Sequence, residues 1–236
     1  MKSEKCCKYW IEPIRTNMKM TKQNKIELTI CYFTFMLMGV FHYFNIFSRG
    51  LNNLYSPLFV VTFFWIIIKI MMQTDDTKNI SIFSFIVFLF SLIISLLVFR
   101  NDTFVQSFHF GTILKPQILS IPLTAGFIWL NAIFVSTALI QRFHSFSNFN
   151  VITKSLLIGL SFLVFDIYFE PAAGRLGFWY WGGASIPLLN YAVWFCFGTL
   201  MGFIGLKMKV FTEQLPAIAL HLYIAQVLFF LTVFFS

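Results

Sequence analysis

The chain has 236 residues, 58% hydrophobic and only 11% charged, with 33 Phe and a positive mean hydropathy. That balance excludes an ordinary soluble domain and a disordered chain, both of which carry far more charge, and describes an integral membrane protein. The net charge of +8 reports membrane topology, so no nucleic-acid partner is expected.

A polar, basic leader comes first, over residues 1–25. Apolar runs follow near residues 26–47, 56–72, 80–99, 117–140, 153–170, 186–206 and 211–235. Each approaches the length that crosses about 30 Å of hydrocarbon at about 1.5 Å per residue. The runs are continuous, where barrel strands would alternate in period two, so an all-α polytopic bundle of seven transmembrane helices is predicted, as one domain over residues 26–236. The first run follows the leader and lacks a small-residue cleavage site, which reads as a span and not as a signal peptide.

Of the 17 basic residues, 13 fall on one side of such a bundle: Lys2, Lys5, Lys8, Arg15, Lys19, Lys22, Lys25, Lys69, Lys78, Arg142, Lys154, Lys207 and Lys209. The expected topology is therefore a cytoplasmic N-terminus and an outside C-terminus, multi-pass in the cell membrane. The leader is also suited to anionic lipid headgroups, at about 1 kcal/mol per basic residue. Cys6 and Cys7 are open to acylation or to remaining free thiols, while Cys31 and Cys196 lie in apolar runs.

Most acids have simple positions. Glu4 and Glu12 lie in the leader, Glu27 and Glu213 at helix ends, and Asp75, Asp76 and Asp102 in loops. Asp166 and Glu170 remain, inside the fifth run and four residues apart, which sets both carboxyls on one helix face. Counted from Lys154, they lie about 18 and about 24 Å into the membrane. A carboxyl there is costly and marks function, although Glu170 precedes Pro171, where the helix is expected to stop.

After Pro171 the sequence predicts a short re-entrant or interfacial connection, rich in glycine and carrying Trp179, Tyr180 and Trp181. These aromatics suit either an interfacial belt or the wall of a site. Pro187 suits the first turn of the next helix, which carries Asn190 and Trp194 on one i, i+4 face. Two readings of His42 are open, a border of the same pocket or a packing residue. His109, Asn131, His221 and Gln226 read more simply as interhelical hydrogen-bonding groups. The four histidines form no metal-ligand spacing, so neither a metal nor a redox cofactor is expected.

An acid in an apolar setting keeps its proton near neutrality and so can protonate an isolated alkene. A second carboxyl one turn away can orient water, and aromatic faces stabilise the resulting cation by about 2 kcal/mol when desolvated. A lipophilic substrate drawn from the bilayer fits this combination.

The pattern Asp166-x-x-x-Glu170-Pro171-x-Ala173, then Trp179-x-Trp181, then Ile186-Pro187-x-x-Asn190-Tyr191-x-x-Trp194-Phe195, resembles the membrane carotenoid biosynthesis family that contains the carotenoid hydratases of the bisanhydrobacterioruberin hydratase type. Upstream, "FHFGTILKPQILSIPLTAGFIWL", with Trp129 in the following helix, supports the resemblance, which covers about residues 104–205. It implies addition of water across a terminal double bond of a carotenoid end. Asp166 would be the general acid, Glu170 its partner or the residue that positions water, and Asn190 a hydrogen-bond donor to water or to Asp166. Proton flow between the two carboxyls can also run the other way. Trp129, Trp179, Trp181, Pro187, Trp194 and His42 are the expected substrate-binding residues. Membrane lipids and other carotenoid-pathway membrane enzymes are the expected neighbours.

Two rivals remain at this stage. The small membrane lycopene cyclase type also protonates a polyene end, but here Pro187 is followed by Leu188, Leu189 and Asn190 instead of acids. A transporter would thread polar groups across the whole bilayer and often carry duplicated broken helices, whereas here the polar cluster lies to one side and no repeat is visible; a membrane partner protein without chemistry is the other alternative.

Overall fold

The computed structural model describes residues 22–46, 48–74, 76–100, 108–183 and 185–236. Seven helices are long and apolar enough to span a membrane: α1 Lys22–Tyr43, α2 Ser48–Met71, α3 Thr77–Arg100, α4 Leu123–Ile140, α5 Val151–Arg175, α6 Leu188–Lys207 and α7 Ala217–Phe234. Four short strands complete the order, β1 Phe108–Phe110, β2 Gln117–Ile118, β3 Ile121–Pro122 and β4 Trp179–Trp181. The all-helical, seven-span architecture is as the sequence predicts. Most of the leader, with Cys6 and Cys7, lies outside the described residues, and α1 starts at Lys22, inside the basic stretch.

Three boundaries differ from the sequence reading. The fourth span begins at Leu123, because residues 117–122 form a tight hairpin whose turn residues Leu119 and Ser120 both take positive φ. The seventh begins at Ala217, after Pro216. The largest correction is at Pro171, which lies inside α5 and does not end it. The last turn beyond it closes by a Schellman motif, in which Phe178 N–H donates to the Ala173 carbonyl and Gly177 N–H to that of Gly174. Gly177 supplies the left-handed φ of 71° that this motif needs. Burial of Ala172, Ala173 and Phe178 holds the turn in place.

α4 is the central helix, 78% buried along its span against 22% for α1. It packs against α2, α3, α5 and α7. α5 and α6 form the closest pair, because glycines let their backbones approach. A Cβ at Gly198 would stand 2.8 Å from the Phe162 Cβ, and one at Gly202 3.1 Å from the Ile158 Cβ. α1 runs beside α7, joined by Tyr32 Oη and His221 Nδ1 at 2.9 Å, while Asn131 Nδ2 donates to Gln226 Oε1 at 2.8 Å between α4 and α7. Asn131, His221 and Gln226 thus join helices, as the sequence predicts; His109 does not, being exposed on β1.

The basic end of the bundle carries Lys69, paired with Glu27 at 2.5 Å. At that end Gln141 ties down the α6–α7 loop, accepting from Leu215 N–H and donating to the Phe211 and Glu213 carbonyls. The opposite end carries the carboxyl pair and an antiparallel ribbon of β1 and β4, with Phe108 opposite Trp181, His109 opposite Tyr180 and Phe110 opposite Trp179. The predicted re-entrant connection is thus half of a two-stranded ribbon whose other half comes from the α3–α4 loop.

Candidate functional site

The stripe of α5 that faces α6 runs Gly159, Phe162, Asp166, Glu170, at helical spacing. Both carboxyls are therefore carried into the tightest helix contact in the molecule, and both are buried, Asp166 at 0% and Glu170 at 2% exposure. Their surroundings differ. Glu170 Oε2 accepts hydrogen bonds from the indole N–H groups of Trp179 at 2.9 Å and Trp181 at 3.1 Å. Neither oxygen of Asp166 has a hydrogen-bond partner among the described residues.

The ribbon makes the first arrangement. Alternate residues of a strand point to one face, so Trp179 and Trp181 both turn inward while Tyr180 between them is exposed. Gly111 fixes how the ribbon meets the end of α5: its N–H donates to the Phe178 carbonyl, and a Cβ there would stand 1.9 Å from the Gly177 carbonyl oxygen.

Asn190 is 5% exposed and sits in the first turn of α6, where its backbone N–H reaches the Pro187 carbonyl. Its side-chain amide bears on Glu170 from across the α5–α6 contact, but its Nδ2 makes no hydrogen bond of ordinary geometry. Trp129 and Trp194 are stacked with ring centroids 3.8 Å apart, and Trp129 lies 6.3 Å from Trp179 with the planes 28° apart. Phe169 meets both Trp129 and Trp179 edge-on.

These groups border a small, partly open cavity of about 20 Å³, lined by Ser95, Phe108, Phe110, Trp129, Glu170, Trp179, Trp181, Asn190 and Trp194. That volume suits roughly one water molecule. A polyene end does not fit so small a space, so admitting one requires the walls to separate. Two larger cavities, of about 180 and 470 Å³, lie at the basic end around the α6–α7 loop and contain neither carboxyl.

Of the sequence-predicted site residues, Glu170, Asn190, Trp129, Trp179, Trp181 and Trp194 share one chamber. Asp166 lies a turn deeper, beside it. Two residues do not belong. His42 is held by Tyr55 Oη at 3.3 Å, a contact between α1 and α2, which is its packing reading. Pro187 caps α6 and so sets the height of Asn190, without lining the chamber. Sequence reasoning missed Phe108, Phe110 and Ser95 as lining residues. The two aromatics carry a signal, since Phe-x-Phe and Trp-x-Trp both show the period-two spacing of strands. Ser95 carries none.

No curated protein and no solved structure matches the chain significantly. The sequence profile of the family described as Carotenoid biosynthesis protein matches residues 55–236. The match extends well beyond the residues 104–205 that the motifs suggest, taking in α3, α7 and most of α2. With more than half of the chain matched, this protein belongs to the carotenoid biosynthesis protein family, and its role lies in making carotenoids.

Proposed function

We propose that this protein is a carotenoid hydratase of the cell membrane, adding water across a terminal carbon–carbon double bond of a carotenoid end group. One observation carries the reading: two buried carboxyls share a helix face beside an aromatic chamber, one clamped by two indole N–H groups and the other without a hydrogen-bond partner among the described residues.

Indole donors favour the carboxylate form of Glu170, whereas an unpartnered carboxyl in an apolar surrounding is cheapest as the neutral acid. Asp166 is accordingly the proton donor. Its proton adds to the less substituted carbon of the alkene, leaving a tertiary cation beside the faces of Trp129, Trp179 and Trp194, an interaction worth about 2 kcal/mol in a dry site. Water held between Glu170 and the Asn190 amide supplies its oxygen to that cation. The proton it sheds passes to Glu170 and returns to Asp166, so the enzyme is restored and the net change is one water added. That balance consumes one alkene and one water and returns both carboxyls to their starting states.

The test is expression in cells that make lycopene or a monocyclic carotene, with pigment masses read before and after. A gain equal to one water supports hydration. A ring-closed isomer of unchanged mass would mean cyclisation instead, and unaltered pigments would overturn the enzymatic reading. Asp166→Asn should lower conversion by at least about a hundredfold, the usual size of a general-acid contribution, while the protein still reaches the membrane.

A further inference from the structure

Among the described residues, packing bounds the chamber on three sides. Toward α5 Glu170 and its two indole donors bound it, toward α4 the Trp129–Trp194 stack does, and above it the ribbon sets Phe108 4.8 Å from Trp181. The remaining side is the join between α3 and α6. These helices touch only sparsely, yet both reach the lining, α3 through Ser95 and α6 through Asn190 and Trp194.

Side-chain size along α3 changes toward the chamber. Its buried stripe runs Ile80, Phe83, Val87, Ser91, Ser95. Phe83 shuts the basic end of the join, meeting Phe211 and Phe134 edge-on. Nearer the chamber the stripe narrows to two serines whose hydroxyls are spent on their own helix, Ser91 on the Phe88 carbonyl and Ser95 on the Ser91 carbonyl. They offer a slender surface that an apolar chain can pass without stranding a donor. Leu189, beside Asn190 on α6, is an exposed apolar residue, as a lipid-facing border requires, while Phe90 and Leu97 are exposed on the face of α3 turned away from Ser95. At the far end stands Asn190, whose buried Nδ2 bears on Glu170 without a hydrogen bond of ordinary geometry among the described residues, so a polar guest can complete it.

The geometry points to the α3–α6 join as a lateral portal through which an apolar chain from the bilayer reaches Glu170 and Asn190 end-first, with Ser95 at its threshold. That the chain is a polyene rests on the hydratase reading; the portal itself rests on the packing. The chamber takes only the end of such a molecule, and the remainder stays in lipid along α3.

Two measurements on the full chain in its membrane test this. Ser95→Trp should reduce hydration at least about tenfold, while Leu97→Trp, on the lipid-exposed side of the same helix, should leave it unchanged. Equal conversion by Ser95→Trp and wild type overturns the portal. Independently of turnover, Ser95→Cys in a chain whose four native cysteines are serine should react with a membrane-partitioning maleimide, resist a charged one, and be protected by lycopene. Reaction with the charged reagent would place the opening under the ribbon, and reaction with neither would mean a sealed join; both overturn the proposal. If labelling is as expected but no polyene gains water, the hydratase reading fails and the portal stands.

Discussion

At Glu170 a single carboxylate oxygen receives two indole N–H groups, whereas one turn away Asp166 receives no donor among the described residues. The asymmetry separates two kinds of cost. Removing the acceptor strands its donors, so Glu170→Leu should lower stability by about 1–3 kcal/mol, read as a drop in thermal unfolding temperature in detergent. Removing the orphan relieves a penalty, so Asp166→Val should unfold at an equal or higher temperature while losing conversion. A clear loss of stability in Asp166→Val would show that its carboxyl is a structural member of the core. Trp181→Phe keeps the ring against Phe108 but takes one donor from Glu170; conversion should fall about tenfold, the factor that 1.4 kcal/mol represents. The local facts at this scale, two acids on one face with tryptophans following, are legible in the sequence because i, i+4 spacing is a property of the helix alone. Which acid the tryptophans would hold is not, since that depends on the direction the chain takes after Gly177.

Among the elements, the α5–α6 pair and the ribbon hold the site by close backbone approach. Gly198→Leu would drive a side chain into Phe162 and should cost about 1–3 kcal/mol or more, measured by unfolding. Gly111→Ala is the sharper probe of the ribbon, because the atom its Cβ meets is the Gly177 carbonyl oxygen, which cannot rotate away. It should spread β1 from β4, change tryptophan fluorescence around Trp179 and Trp181, and reduce conversion more than it reduces the amount of protein in the membrane. The continuation of α5 through Pro171 belongs to this scale too. A proline preceded by an acid reads as a stop in sequence, but the Schellman closure and the burial of Ala172, Ala173 and Phe178 outweigh the one hydrogen bond that proline forgoes.

For the whole molecule, the helix ends that carry Lys69, Lys78, Lys154 and Lys207 lie at the end of the bundle away from the chamber. The positive-inside tendency then predicts that the chamber opens in the outer half of the membrane and that the C-terminus is outside. A reporter active only outside the cytoplasm, fused after Ser236, should be active; one active only in the cytoplasm should be silent there. The reverse result would place the carboxyls in the inner leaflet and move the source of the reacting water to the cytoplasmic side.

Run length and 3.6-residue periodicity are local properties of a chain in hydrocarbon, where every backbone polar group must be satisfied within its own segment; for that reason the seven spans and the facing of Asp166 and Glu170 followed from the residues alone. The pairing of residues 108–110 with residues 179–181, the clamp on one carboxylate oxygen, the contact of His42 with Tyr55, and the sparse contact between α3 and α6 were decided only by tertiary structure. Each of these depends on segments far apart in sequence meeting at a particular height in the bundle, and that height is set by helix-to-helix packing around α4.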